Sequence, residues 1–154
     1  MLQVLEYADL IRQETAKSIS KVNKSIYSQF MTSASIARFM ASLFSNTKEK
    51  KIKLLDAGAG VGSLTCAFLD RCSEKIFEPQ FIEVTAYETD LVLLEHLSSI
   101  LNKYSSKLNI QNNILSDDFI GHAVKELQSG SQQKFTHAII NPPYKKINSN
   151  SNYR

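Results

Sequence analysis

Three of the five glycines in this 154-residue chain, Gly58, Gly60 and Gly62, are crowded into one short stretch directly after an apolar run. Few features restrict a fold more. Glycines alternating in this way let the backbone turn sharply and leave room for another group to approach it. The preceding run, Ile52–Ala57 (IKLLDA), is short, apolar and punctuated by the cluster, and reads as a buried strand. Ser63–Arg71 reads as a helix. The local unit is therefore strand, tight loop, helix.

The same alternation continues downstream. Phe81–Glu88 (FIEVTAYE) alternates as a strand does, and Asp90 is placed to cap a helix carrying Leu91, Leu94, Leu97 and Leu101. Leu108–Leu115 reads as a third strand, followed by a helix from Phe119 to Gln128. Phe135–Ile140 (FTHAII) reads as a fourth strand, running into Asn141-Pro142-Pro143-Tyr144. Upstream, residues 2–23 carry Leu5, Ala8, Ile11 and Ile19 at helical spacing. A second helix is expected after Thr32 or Ser33, with Ile36, Phe39, Met40, Leu43 and Phe44 as its apolar stripe. Strands alternating with helices imply an α/β fold with a parallel sheet, in which ligands sit beyond the carboxyl ends of the strands. Asp56 to Gly62, Glu88, Asp117 to Phe119 and Asn141 to Tyr144 all fall at such ends, so four polar or glycine-rich clusters converge on one edge.

Composition bounds the alternatives. The length suits one domain, divided here into a helical segment at 1–47, an α/β core at 48–145 and a polar tail at 146–154. A net charge of +3 is too weak to predict nucleic-acid binding by itself. Cys66 and Cys72 lack both a disulfide framework and metal-ligand spacing, so they read as reduced core cysteines and no metal is expected. No apolar run approaches the ~20 residues of a membrane span, and the acidic N-terminus does not resemble a leader. The expected compartment is the cytoplasm.

Each cluster suggests a chemistry. A dinucleotide loop would read G-x-G-x-x-G and hold pyrophosphate at a helix N-terminus. Here the pattern is Gly58-Ala59-Gly60-Val61-Gly62, preceded by Asp56-Ala57. An acidic group suits a ligand bearing an ammonium and a sulfonium better than one bearing phosphates, which favours S-adenosyl-L-methionine over NAD. Glu88 can accept hydrogen bonds from ribose hydroxyls, although its separation from Gly58 exceeds the usual ~20 residues. Asp117 or Asp118 can accept from an adenine amino group while Phe119 packs on the ring; a helix cap with a core phenylalanine is the plainer alternative.

Asn141-Pro142-Pro143-Tyr144 is the most specific of the four. Two prolines end the strand and lock an extended turn, which directs the Asn141 side chain and the Pro142 carbonyl to one point. An exocyclic amine is a poor nucleophile because its lone pair is delocalised. Two acceptors beside it stabilise the positive charge that develops on nitrogen during transfer. Tyr144 offers a ring on which a flipped base can stack.

From Ser25 to Tyr144 these residues resemble the S-adenosylmethionine-dependent amino-methyltransferases, and specifically the adenine-N6 DNA methyltransferases of restriction–modification systems. The resemblance implies a Rossmann-like methyltransferase fold, incomplete here, with about four parallel strands preceded by helices. It implies catalytic roles for Asn141, Pro142, Pro143 and Tyr144. It implies cofactor contacts from Asp56, Ala57, Gly58, Gly60, Glu88, Thr89, Asp117, Asp118, Phe119 and Asn141, with Asp118 rather than Asp117 at the cofactor base. Tyr27-Ser28-Gln29-Phe30-Met31-Thr32 is similar to the N-terminal motif of the group whose cofactor loop precedes the catalytic motif. That adds Tyr27 and Thr32 as cofactor contacts, the threonine region holding the methionine carboxylate; an ordinary helix cap is the alternative for Thr32. The family usually has proline next, whereas this chain has Ser33.

The implied partner is DNA, at an adenine in a specific sequence, with the recognition part absent from this chain. The family's sheet normally has seven strands, so the fourth strand is expected to be an uncovered apolar edge. A fragment, or one part of a larger assembly with a complementary chain or a second copy, is the expectation. Two other readings stand beside it. Methyltransferases of release-factor glutamine or RNA guanine also use Asn-Pro-Pro-aromatic, although the Gln29–Thr32 segment argues against them. The other reading is a module that binds the cofactor without catalysis.

Overall fold

The computed structural model describes residues 3–18, 31–45 and 48–142. In chain order the elements are α1 (Val4–Ser18), α2 (Ala34–Ser42), β1 (Lys51–Ala57), α3 (Ser63–Ser73), β2 (Phe81–Tyr87), α4 (Leu91–Asn102), β3 (Ile110–Leu115), α5 (Phe119–Ser129) and β4 (His137–Ala138). The four strands form one parallel sheet in the order β3-β2-β1-β4. The expected alternation and the parallel α/β class are both present. The expected helical positions Ile19 to Asn23, together with Tyr27, Pro143, Tyr144 and the tail, lie outside the described residues.

One face of the sheet carries the core. Ile52 and Leu54 of β1 and Ile82, Val84 and Ala86 of β2 pack with Leu5 and Ala8 of α1, Phe68 and Leu69 of α3, and Leu97 and Leu101 of α4. Buried Tyr104, just past α4, joins this cluster and donates its hydroxyl within reach of the Asp70 carboxylate (2.7 Å) and the Cys66 carbonyl (3.0 Å). Cys66 and Cys72 are free and buried; burial pushes the Cys72 thiol up to about 12 and Cys66 higher still.

Several expectations need correction. Of the stripe expected to face inward on α2 and just beyond it, Met40 and Phe44 pack against the core, whereas Ile36, Phe39 and Leu43 are 53%, 64% and 68% exposed. The small residues Ala37 and Ala41 face the core instead. One helical turn apart, they let α2 press its backbone close to α3 and turn the bulky side chains outward. On α4 the buried positions are Leu93, Leu97, Ile100 and Leu101, so Leu91 and Leu94 drop out of the expected stripe.

The third strand starts at Ile110 and not Leu108, because the Leu108 N–H is still bonded to the Tyr104 carbonyl in the turn leaving α4. The fourth strand keeps only His137–Ala138 of the expected Phe135–Ile140. On its N-terminal side the Lys53 N–H is taken by the Thr136 side-chain hydroxyl rather than by a ladder carbonyl. Beyond Ile139, whose N–H bonds the Leu55 carbonyl, Pro142 has no N–H to offer. As expected, β4 is an edge strand of the described sheet, and Met40, Leu43 and Phe44 of the α2 region leave a groove of about 250 Å³ beside it.

Candidate methyl-transfer site

The glycine loop is built by the end of β1. Gly58, Gly60 and Gly62 all adopt positive φ, at 92°, 58° and 88°. The Gly58 and Ala59 N–H groups donate to the Tyr87 carbonyl at 2.9 and 2.8 Å, tying the loop to the end of β2. Gly62 is needed twice over: a Cβ there would sit 2.7 Å from Leu97 Cδ1, in a backbone conformation that side chains disfavour. The loop therefore lies flat on α4.

Glu88, at the end of β2, is held by backbone donors. Its Oε2 accepts from the Gly60 N–H (2.8 Å), and its Oε1 accepts from the N–H groups of Thr89 and Asp90 (2.8 and 2.9 Å). Asp90 caps α4 as expected, accepting from Val92 and Leu93. At the end of β3, Asp118 caps α5 through the Gly121 N–H (2.7 Å), while the exposed Asp117 side chain lies 3.6 Å from His122 Nδ1. The capping alternative for Asp118 is thus realised. The Phe119 ring meets Tyr87 edge-on at 5.2 Å between centroids.

These ends enclose a cavity of about 580 Å³, within the roughly 300–1,000 Å³ usual for small-molecule sites. Ala57, Gly58 and Gly60 line it from β1, Glu88 and Thr89 from β2, and Asp117, Asp118 and Phe119 from β3. Asn141 and Pro142 line it from the end of β4. Ten of the residues singled out in the sequence therefore meet around one space. Sequence reasoning did not single out Met31, Tyr87, Leu93, Ile120 and Ile140, which supply apolar wall. Tyr87 and Ile140 sit immediately before the polar residues that were singled out, and that adjacency was the available signal.

Two expected contacts lie off this wall. Asp56 is buried behind the loop, its Oδ2 accepting from the Thr65 hydroxyl at 2.6 Å. Burial, opposed by the bonds from Thr65 and aided by the nearby Glu88 charge, pushes its carboxyl up to about 7. Thr32 lines a separate cleft of about 10 Å³ against the glycine loop, room for about one water-sized group. Its hydroxyl oxygen accepts from Asn141 Nδ2 at 3.0 Å. Asp56 Oδ1 and Ser63 Oγ are buried and have no hydrogen-bond partner among the described residues. Buried polar atoms are rarely left so, and a ligand is one thing that satisfies them. A carboxylate oxygen and a hydroxyl beside a glycine loop fit an amino-acid ammonium and carboxylate. The donor set thus suits S-adenosylmethionine.

No family model matches the chain. Across its whole length it is 45% identical to the Type II methyltransferase M.BsuBI of Bacillus subtilis, of which it covers 31%. Over 90% of its length it is 34% identical to the Type II methyltransferase M.PstI of Providencia stuartii, of which it covers 28%. The chain thus spans about a third of the length of either relative. A solved structure from Listeria monocytogenes, described as a candidate class I S-adenosylmethionine-dependent methyltransferase, matches 75% of this chain and 33% of its own. The TM-score is 0.55 at 18% identity, a likeness of fold. Along its whole length, and on this fold, the chain is therefore similar to about a third of each of these two Type II methyltransferases.

Proposed function

We propose that the chain binds S-adenosyl-L-methionine and serves a protein that methylates the N6 amino group of adenine in DNA. One observation carries the reading: the glycine loop and Asn141-Pro142 face the same 580 Å³ cavity, so a donor and an acceptor held by them meet. When bound, the cofactor supplies a methyl group made electrophilic by its sulfonium.

The chain's residues do the rest. Gly58 and Gly60 admit close backbone approach, and we assign to the amino-acid end Ser63 Oγ, in the small cleft, and Asp56 Oδ1, buried behind the loop. Glu88 receives the ribose hydroxyls, with Thr89 beside it. Asp117, Asp118 and Phe119 line the same cavity, and by resemblance they would hold the cofactor adenine, the ring of Phe119 giving it an apolar wall. Asn141 Oδ1 and the Pro142 carbonyl accept from the target amine and stabilise positive charge on its nitrogen. No strong base is needed, because the proton can leave after transfer. Holding the amine in line is worth of order 7–11 kcal/mol where alignment is good. Tyr27 and, for stacking on the base, Pro143-Tyr144 complete the set by resemblance.

A narrower reading is favoured by the exposed Ile36, Phe39 and Leu43 and by the short edge strand β4. In it the isolated chain binds cofactor but turns over weakly. Calorimetry with S-adenosylhomocysteine tests binding, and its absence would overturn both readings. Labelled cofactor offered with unmodified plasmid, ribosomal RNA and release factor in parallel tests the acceptor. Label in the plasmid alone is expected; label only in RNA or protein would defeat the DNA reading.

A further inference from the structure

We infer that Thr32 is a positioning residue for Asn141, anchoring its amide beside the methyl-accepting nitrogen; this rests on the reading of Asn141 as the acceptor of the target amine. The side chains are 109 positions apart in sequence, yet Asn141 Nδ2 donates to Thr32 Oγ1 at 3.0 Å. Thr32 is only 7% exposed.

Orientation is the critical property of an asparagine in this role. Its amide has an accepting end and a donating end, and rotation about χ2 exchanges them. A target NH2 offers hydrogens. An Asn141 presenting oxygen to it stabilises developing charge, whereas one presenting NH2 opposes donor to donor. With Nδ2 committed to the Thr32 hydroxyl, Oδ1 is directed away from that bond. Asn141 also lines the main cavity, while Thr32 lines the small cleft, which shares Met31, Gly58 and Gly60 with it.

The anchor itself is rigid. Thr32 lies next to Ser33, the N-cap of α2, and both ends of α2 are held by charged groups from other helices. The Ala34 N–H donates to Asp9 Oδ1 (3.1 Å) at the N-terminus, where a negative charge suits the helix dipole. At the C-terminus Arg71 donates to the Ala41 and Phe44 carbonyls at 2.9 and 3.1 Å. Asp9 is itself fixed by Arg12 and Gln13, whose hydrogen bonds outweigh its burial and keep its carboxyl below the usual range. A hydroxyl mounted on so fixed a helix start holds the Asn141 amide at one place, with Oδ1 turned away from the bond. Thr32 so placed acts on the acceptor side of the reaction, in contrast to the cofactor-carboxylate role that the resemblance implies for its region.

The test uses the full chain labelled with nitrogen-15, the Asn141 side-chain resonances being assigned by their loss in Asn141→Ala. Thr32→Val removes the hydroxyl at nearly constant volume, and Thr32→Ser restores it. In Thr32→Val the Asn141 NH2 protons are expected to exchange with solvent about tenfold faster. Methyl transfer to adenine-containing duplex DNA is expected to fall about tenfold in kcat, with KM for cofactor unchanged. Affinity for S-adenosylhomocysteine stays within about threefold of wild type, a difference under 1 kcal/mol. Thr32→Ser recovers both signals. An unchanged Asn141 amide in Thr32→Val, or weakened S-adenosylhomocysteine binding with an unaltered kcat, overturns the positioning role. A wild-type chain that binds no S-adenosylhomocysteine overturns the parent reading instead, so the two failures are distinct.

Discussion

The two faces of the sheet are built on different principles. On one, Ile52 and Leu54 pair laterally with Ile82 and Val84, and α1, α3 and α4 cover them without a gap. On the other, the same strands present Lys51, Lys53, Glu83, Gln111 and Asn113, and the contact with α5 runs through Tyr87 to Phe119 and His122. The first face is a hydrophobic platform. The second mixes charged and amide side chains with Phe81, over which Lys51 Nζ sits 5.1 Å from the ring centroid, and with buried Leu55. Stability therefore resides on one side of the sheet, and the site lies at the strand ends where both sides meet. Residues that look alike in sequence, such as Leu54 and Leu55, are both buried but lie on opposite faces.

The largest effect expected from this contrast is on the packed face. Phe68 is fully buried, its ring 5.2 Å from Phe44 and 5.6 Å from Phe77. Phe68→Ala should cost about 3–5 kcal/mol, read as a shift of the urea midpoint at constant slope. A loss below about 1 kcal/mol would mean that the platform does not carry the fold. Next comes Asn141→Ala, which belongs to the site and not the platform. It should cut methyl transfer by roughly 10²–10³ while leaving cofactor affinity and unfolding midpoint nearly unchanged. An unaltered rate would remove Asn141 from the reaction.

Gly62→Ala tests where site and platform touch. The positive φ costs about 1–2 kcal/mol, and a methyl 2.7 Å from Leu97 Cδ1 adds about 1–3 kcal/mol of overpacking. Stability and cofactor affinity should fall together. Were affinity to fall alone, the loop would be independent of α4.

Asp56 offers a test by pH. Its folded pKa of about 7 lies above its ordinary 3.8, chiefly through burial. Between those values the unfolded state ionises and the folded state resists, so stability declines as pH rises from about 4 to about 7. Asp56→Asn should remove that slope. An ammonium bound beside the carboxylate favours the ionised form, so cofactor binding should release a proton and tighten by up to about tenfold per pH unit below 7. Calorimetry in buffers of different ionisation heats reads the proton directly. A binding enthalpy independent of buffer at pH 6.5 would place Asp56 out of contact with the ligand.

The same contrast explains what was legible in the sequence. Strand runs ended by Gly58, Glu88, Asp117 and Asn141 announce themselves because glycine, acid and proline interrupt apolar periodicity, and all four ends reach one cavity. What failed was the choice of inward face on α2. Counting large apolar residues selects Ile36, Phe39 and Leu43, whereas close helix packing selects Ala37 and Ala41. Periodicity weighs size, and helix packing weighs closeness. The short β4 was equally hidden, because it depends on a Thr136 side chain replacing a ladder acceptor for Lys53. The bond between Thr32 and Asn141 joins distant segments, and nothing local in either encodes it.

The smallest effect is expected on the open face. Glu83 Oε2 lies 3.3 Å from Lys51 Nζ and 3.8 Å from Lys53 Nζ, and its Oε1 is 3.5 Å from Asn113 Nδ2. Both lysines are substantially exposed, so their charges remain solvated when Glu83 loses its own. Pairs of this kind contribute about 0–1 kcal/mol, and salt weakens them further. Glu83→Gln should therefore move the unfolding midpoint by less than about 1 kcal/mol, and by less still at high salt. The substitution keeps the size of the side chain, so packing does not confound the comparison with Phe68→Ala. A loss above about 2 kcal/mol that persists in high salt would show the polar face to be structural in its own right, and the division between platform and open face would no longer hold.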